Sequence, residues 1–175
     1  VAILSKLPLD DIQKGLPGGD GDEQARFIAA TVIDGSFAVR VASLYLPNGN
    51  PAPGPKYDYK LAWMKRLQAF AQANMVHEEP LVLAGDYNVA PMARDARYPE
   101  NWTEDALFLP ATRTAFTELK SLGLTEAFRA LHPLNEGAFS FWDYQAGAWP
   151  KNNGIRIDHH LLSPQAADRL ISAEI

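Results

Sequence analysis

The chain has 175 residues, 47% of them hydrophobic, and a formal charge of −5 from 16 basic and 21 acidic side chains. That is enough apolar material for one domain with its own core, and the lack of cysteine excludes a disulfide framework and a thiolate zinc site. The acidic balance argues against a generally cationic nucleic-acid binder, although a local basic rim can coexist with acidic catalytic residues. No basic segment followed by an apolar one opens the sequence, and no apolar run approaches the ~20 residues of a membrane span, so neither export nor membrane contact is expected. A cytoplasmic setting fits the cysteine-free composition.

In chain order, Val1 to Lys6 reads as a strand and Pro8 to Asp22 as a Gly/Pro/Asp-rich loop. Ala25 to Ile33 and Phe37 to Leu46 are rich in β-branched and aromatic residues, with Asp34-Gly35 between them as a hairpin signal. After a Pro/Gly-rich loop from Pro47 to Pro55, a helix is predicted from about Tyr57 to Met75. Leu61, Met64, Leu67, Ala71 and Met75 form its apolar stripe, while Lys60, Lys65, Arg66, Gln68 and Gln72 fill the other face. That helix crosses over to a short strand, Leu81 to Ala84, the βαβ unit of an α/β fold. Pro91 to Leu109 reads as a long surface loop. A second helix is predicted from Pro110 to Leu122, with Gly123 as its stop, and a short one from Thr125 to His132. Phe139 to Tyr144 and Arg156 to Leu162 read as strands flanking a Gly/Pro/Asn loop.

The most informative stretch is Pro80 to Pro91, where an apolar run enters Gly85 and then delivers Asp86 and Asn88. Side chains at i and i+2 of an extended segment point the same way, and the carboxyl ends of strands are where open α/β sheets place their chemistry. A carboxylate there can accept a proton, and a carboxamide can orient a water or donate to an oxyanion. The alternative is a pair of turn residues hydrogen-bonding their own backbone.

Together with Leu44-Tyr-Leu-Pro-Asn-Gly49 upstream, and Phe139-Ser-Phe-Trp-Asp-Tyr-Gln-Ala-Gly147 and Asn153-Gly-Ile-Arg-Ile-Asp-His159 downstream, this segment resembles the exodeoxyribonuclease III family of DNA-repair nucleases. The resemblance covers essentially the whole chain. It implies an α/β fold that is part of a four-layered, DNase I-like sandwich, two mixed β-sheets packed together with helices outside. It also implies metal-dependent hydrolysis of DNA phosphodiesters, as a 3′→5′ exonuclease on duplex DNA and an endonuclease at abasic sites. Family members carry an N-terminal strand with a catalytic Asn, another with a metal-binding Glu, and a C-terminal Ser-Asp-His strand. None has a counterpart here, so residues 1–175 are expected to form a single, incomplete domain lacking its terminal strands. Such a piece is expected to be poorly active and prone to self-association, whereas the full enzyme is expected to be a monomer. The same superfamily includes phosphatases and phosphodiesterases of inositol lipids or sphingomyelin, which share only the Gly-Asp-x-Asn strand end, and an inert or DNA-binding remnant is a further alternative.

By this resemblance Asp86 activates the attacking water and Asn88 orients it. Tyr45 lies near the scissile phosphate, its alternative being a half-buried core aromatic. Asn48 contacts a phosphate oxygen or simply makes an Asn-Gly turn. Asp158 orients the absent histidine, while His159 and His160 are read as strand or surface histidines, His159 on the face opposite Asp158. Arg26 contacts a phosphate or makes a salt bridge. Trp142 enters DNA beside the abasic sugar, or packs in the core. Asp143, Lys151 and Arg113 are weaker candidates for the DNA groove. Mg²⁺ or Mn²⁺ is the implied cofactor; Asp86 and Asn88 would make only a weak site, because the principal Glu ligand has no counterpart.

Overall fold

The computed structural model describes residues 1–145 and 147–175. Eight strands are present among them: β1 (Leu9–Lys14), β2 (Phe27–Asp34), β3 (Phe37–Tyr45), β4 (Leu81–Asp86), β5 (Thr125–Glu126), β6 (Phe141–Trp142), β7 (Gly154–Ile155) and β8 (Asp158–Leu162). The helices are α1 (Pro55–Met75), α2 (Pro110–Lys120), α3 (Ala127–Leu131) and α4 (Pro164–Ala167). Six strands form one mixed sheet in the order β1-β2-β3-β4-β8-β5, and β6 pairs with β7 in a two-stranded ribbon. Only β3 and β4 run parallel, with α1 as their crossover. The α/β class therefore stands, and within the described residues the second sheet amounts to that ribbon.

Sequence chemistry accounts for the central elements. Gly35, at φ 59°, makes the tight turn that joins β2 to β3, closing with Asp34 opposite Phe37. Pro55 starts α1, where its missing N–H costs nothing. One face of the sheet contributes Phe27, Ala29, Ala42, Leu44, Leu81, Leu83 and Leu161 to the main core. Trp63, Met64, Leu67, Phe70 and Ala71 of α1 and Phe116 and Leu119 of α2 cover it. The carboxyl ends of β3 and β4 therefore sit on a well-packed base.

Four expectations need correction. Val1 to Lys6 is not a strand; β1 arises inside the segment read as a loop. That edge strand is mostly exposed and is defined by its backbone pairing with β2, so no apolar alternation announces it. Thr125 to His132 divides into β5, which pairs with β8, and α3, capped by the Glu126 carboxylate accepting from Arg129 N at 2.7 Å. Pro91 to Leu109 is no mere surface loop: it makes two 3₁₀ turns and buries Asp95, Ala96, Ala106, Leu107 and Phe108. Finally, Lys60 belongs to the buried side of α1, with Tyr57, Trp63, Met64 and Leu67, while Leu61 and Met75 are only partly buried.

Candidate active site

Register places three of the candidates in a row. Tyr45 of β3 pairs with Asp86 of β4, and Asp86 pairs with Asp158 of β8. Directly paired residues project to the same face of a sheet, so the phenol and two carboxylates share one side at the end of three adjacent strands. Their neighbours Leu44 and His159 are buried on the other side. Gly85 permits this row: its φ is 146°, and a Cβ there would overlap the Leu44 carbonyl oxygen of β3. Gly85→Ala is therefore expected to cost on the order of 3 kcal/mol, a fall in melting temperature of roughly 6–12 °C for a chain of this size. Thermal unfolding checks it; an unchanged melting temperature would show that β3 and β4 can part without penalty.

Asn88 reaches Asp86 by a different route from the one the i, i+2 spacing suggests. The strand ends at Asp86, and Asn88 turns back in the left-handed region with φ 48°, a conformation Asn tolerates. Its N–H donates to Asp86 Oδ1 at 2.7 Å and its Nδ2 to Asp86 Oδ2 at 3.3 Å. The turn-residue reading therefore holds for this pair, and the same hydrogen bonds keep its carboxylate and carboxamide together at the strand end. Asn88 Nδ2 also donates to Leu46 O at 2.8 Å, and Asn48 Nδ2 donates to Asn88 Oδ1 at 3.2 Å. The two carboxamides and the carboxylate form one chained unit.

Burial pushes the Asp86 carboxyl up to about 6, with the facing Asp158 adding to the rise. The Asn88 N–H and the charges of Lys60 and Arg26 oppose it. A carboxylate held near 6 is mostly ionised at neutral pH yet basic enough to take a proton. Lys60 lies beneath, fully buried, donating to Asn88 O at 2.6 Å, Asn48 O at 3.0 Å and Ala106 O at 3.1 Å. Burial lowers its ammonium to about 7 against the pull of Asp105 and Asp86.

Arg26 makes no salt bridge with a described residue. Its guanidinium sits 4.9 Å from the centre of the Tyr45 ring and donates to Tyr45 O at 3.3 Å and Gln24 Oε1 at 2.6 Å. It therefore borders the row and brings positive charge to it. Trp142 is apart from this cluster, in a wall of aromatic residues: Trp149 is 4.6 Å away edge-on, and Nε1 donates to Asn152 Oδ1 at 3.1 Å. Trp142, Tyr144, Trp149 and Pro150 line an open cavity of about 530 Å³. Ser140, also on its wall, accepts from Asp158 N at 3.1 Å and Ile157 N at 3.0 Å, which ties the cavity to the site row. Asp143 and Lys151 are exposed nearby. Arg113 is used internally, donating to Pro91 O at 3.0 Å and stacking on Phe108.

His159 lies opposite Asp158 as expected, but deep inside, between the rings of Tyr87 and Phe116; His160 is exposed. His159 Nδ1 lies 3.1 Å from Arg156 Nη1 and 3.5 Å from Glu126 Oε1, while Nε2 donates to Val89 O at 2.8 Å. Arg156 is itself buried. It donates to Asp95 Oδ1 from Nε and to Glu126 Oε1 from Nη1, each at 2.9 Å. Arg129 completes the cluster with a 2.5 Å pair to Asp95. Burial alone would raise Glu126, but His159, the Arg156 charge and the Arg129 N–H hold it down at about 2. None of Lys60, Arg156, Asp95 and Glu126 is singled out by its residue type. Lys60 left a trace in its spacing from Tyr57, Met64 and Leu67 along one helical stripe, and Arg156 in its place within the Asn153–His159 motif.

A model of the Endonuclease/Exonuclease/phosphatase family matches residues 1–173. The chain belongs to that family. It is 33% identical over 175 residues to the DNA repair nuclease APEX1 of Danio rerio, covering all of this chain and 54% of that protein. It is 30% identical over 182 residues to exodeoxyribonuclease III of Haemophilus influenzae, covering all of this chain and 68% of that one. Among solved structures, the 3′ phosphatase NExo from Neisseria, bound to a product DNA hairpin, superposes with a TM-score of 0.87 at 36% identity, over 94% of this chain and 62% of that one. The chain thus spans between about half and two thirds of the length of these relatives.

Proposed function

We propose that this chain carries the catalytic core of a DNA phosphodiesterase of exonuclease III type, acting on duplex DNA at 3′ ends and at abasic sites in base excision repair. The observation that carries the reading is the row Tyr45–Asp86–Asp158 with Asn88 bonded to Asp86 and Asn48 to Asn88, in a chain of this family. Asp86 takes a proton from a water held between it and the Asn88 carboxamide, and the hydroxide attacks phosphorus in line. Tyr45 OH and Asn48, at the rim, donate to the phosphate oxygens as charge accumulates. Asp158 faces the same space and directs a donor group toward the phosphate. Arg26 supplies the positive rim that the acidic chain as a whole lacks.

A divalent cation serves nucleases of this class, and the donors fit a hard ion in kind. Asp86 and Asp158 offer carboxylate oxygens side by side, and Asn88 a carbonyl. Among the described residues no group of three His, Cys, Asp or Glu converges; Mg²⁺ usually keeps several waters and binds through one or two carboxylates plus substrate phosphates. Mg²⁺ or Mn²⁺ held by Asp86 with Asn88 would polarise the phosphate and neutralise developing charge.

We extend the proposal to a full enzyme that is cytoplasmic and works as a monomer. The test is incubation of the full enzyme with a duplex carrying one abasic site and with a duplex bearing recessed 3′ ends, each with Mg²⁺, with Mn²⁺ and with chelator. Cleavage that the chelator stops is expected. Duplex binding without cleavage, or turnover of a phosphoinositide in its place, would overturn the assignment, and light scattering checks the monomer.

A further inference from the structure

The proposed reaction gives Lys60 no task, yet its surroundings are built around it. Burying an ammonium is costly unless its N–H groups find acceptors, and here all three do. The acceptors come from three separate segments: Asn48 in the loop after β3, Asn88 in the turn after β4, and Ala106 in the segment leading to α2. All three carbonyls lie outside helices and strands, so no ladder fixes them. The loop also closes directly on the lysine stem, since a Cβ at Gly49 would lie 2.6 Å from Lys60 Cδ. Two of the three carbonyls belong to Asn48 and Asn88, whose carboxamides are chained to each other and to Asp86. A compact ammonium can send three bonds from one atom to three directions; the planar fork of arginine cannot.

We infer that Lys60 is a positioning residue: its three N–H groups lock the 46–50 loop, the 87–90 turn and the segment at Ala106 into one unit that holds the Asn88 carboxamide on Asp86 and the Asn48 carboxamide on Asn88. The functional part of this inference rests on the phosphodiesterase reading; its structural part does not. The chain contains no cysteine, so Lys60→Cys introduces a single thiol. Alkylating that thiol with bromoethylamine in denaturant and refolding rebuilds a side chain of nearly the same length ending in an ammonium.

Hydrogen exchange is read first. The amides of Asn88 and Asn50, which donate to Asp86 Oδ1 and Asn48 Oδ1, should exchange about tenfold faster or more in folded Lys60→Cys, while Leu83 and Leu161 in the sheet stay within about threefold. Alkylation should restore them. If unmodified Lys60→Cys does not fold, Lys60→Arg takes its place, because it keeps the cation but spreads the donors, and the same local loosening is expected. Native exchange at Asn88 and Asn50 in either folded variant overturns the inference. On DNA, kcat per folded molecule should fall about tenfold or more with KM within about twofold, and alkylation should recover it. A wild-type kcat with only a lowered melting temperature would reduce Lys60 to a stabilising residue. If the wild-type full enzyme cleaves no DNA, the phosphodiesterase reading fails, and the exchange measurement still decides whether Lys60 holds the unit.

Discussion

Asp86→Asn is expected to lower turnover on abasic duplex DNA by about 10²–10⁴-fold, the range for loss of a general base, while raising thermal stability. The amide is nearly isosteric and its Oδ1 can still accept from Asn88 N, so the turn should survive. What goes is a carboxylate that folding disfavours. Burial and Asp158 push Asp86 up to about 6 from an ordinary 3.8, so above pH 6 the folded wild type carries a charge that would be better solvated in the unfolded chain. Below about 3.8 the group is protonated in both states and the penalty vanishes. In chelator, the variant should therefore be the more stable protein at pH 8, by about 1–2 kcal/mol after allowance for solvent, with the gap closing as pH falls through 6 toward 4. Wild-type turnover in the variant would remove Asp86 from the reaction. A variant less stable at pH 8 would show that the carboxylate is held by favourable contacts and not strained by burial. Stability gained where activity is lost is the usual mark of a working site.

Arg156→Met is expected to destabilise the fold by about 3–5 kcal/mol, the cost of leaving buried charges without their partner. Asp95 and Glu126 both face the guanidinium at 2.9 Å, and both are buried. The loss corresponds to a fall in melting temperature of roughly 6–20 °C. Adding Glu126→Gln to Arg156→Met should recover part of it, because the pair is coupled and a neutral amide leaves no stranded charge. Strict additivity of the two single changes would mean that the ion pair contributes nothing of its own. Acid should act on the same cluster. Glu126 is held at about 2 against an ordinary 4.5, so its contribution is present above 4.5 and is lost as pH falls from there toward 2, on the order of 3 kcal/mol in all. Wild type should lose stability over that window and Arg156→Met should lose much less. Because Asp95 O also accepts from Arg156 N at 2.7 Å, the cluster ties the 91–96 segment to the residues just before Asp158. Its loss should loosen the site row as well as the core.

The elements most legible in the sequence are those whose cause is local. Period-3.6 spacing announced α1 and α2, Asp34-Gly35 announced the β2–β3 hairpin, and the apolar run into Gly85 announced β4. The candidate site was half visible too, since Asp86, Asn88, Tyr45 and Asp158 are marked by short motifs at or just past strand ends. Where pairing alone defines an element the sequence was silent: β1 is a mostly exposed edge strand made by the neighbouring backbone of β2.

What the sequence by itself determined, then, is the βαβ frame around α1, the family and the candidate residues at the end of β4. The tertiary structure alone decided which charged residues went inside. Lys60 read as a residue of the polar face, and nothing marked Arg156 for burial, because burial of a charge depends on acceptors supplied from distant segments, here Asn48, Asn88 and Ala106 for one and Asp95 and Glu126 for the other. The left-handed turn at Asn88 belongs to the same class. Its carboxamide reaches Asp86 through a hydrogen-bonded fold of the chain, which no count of i and i+2 positions can show.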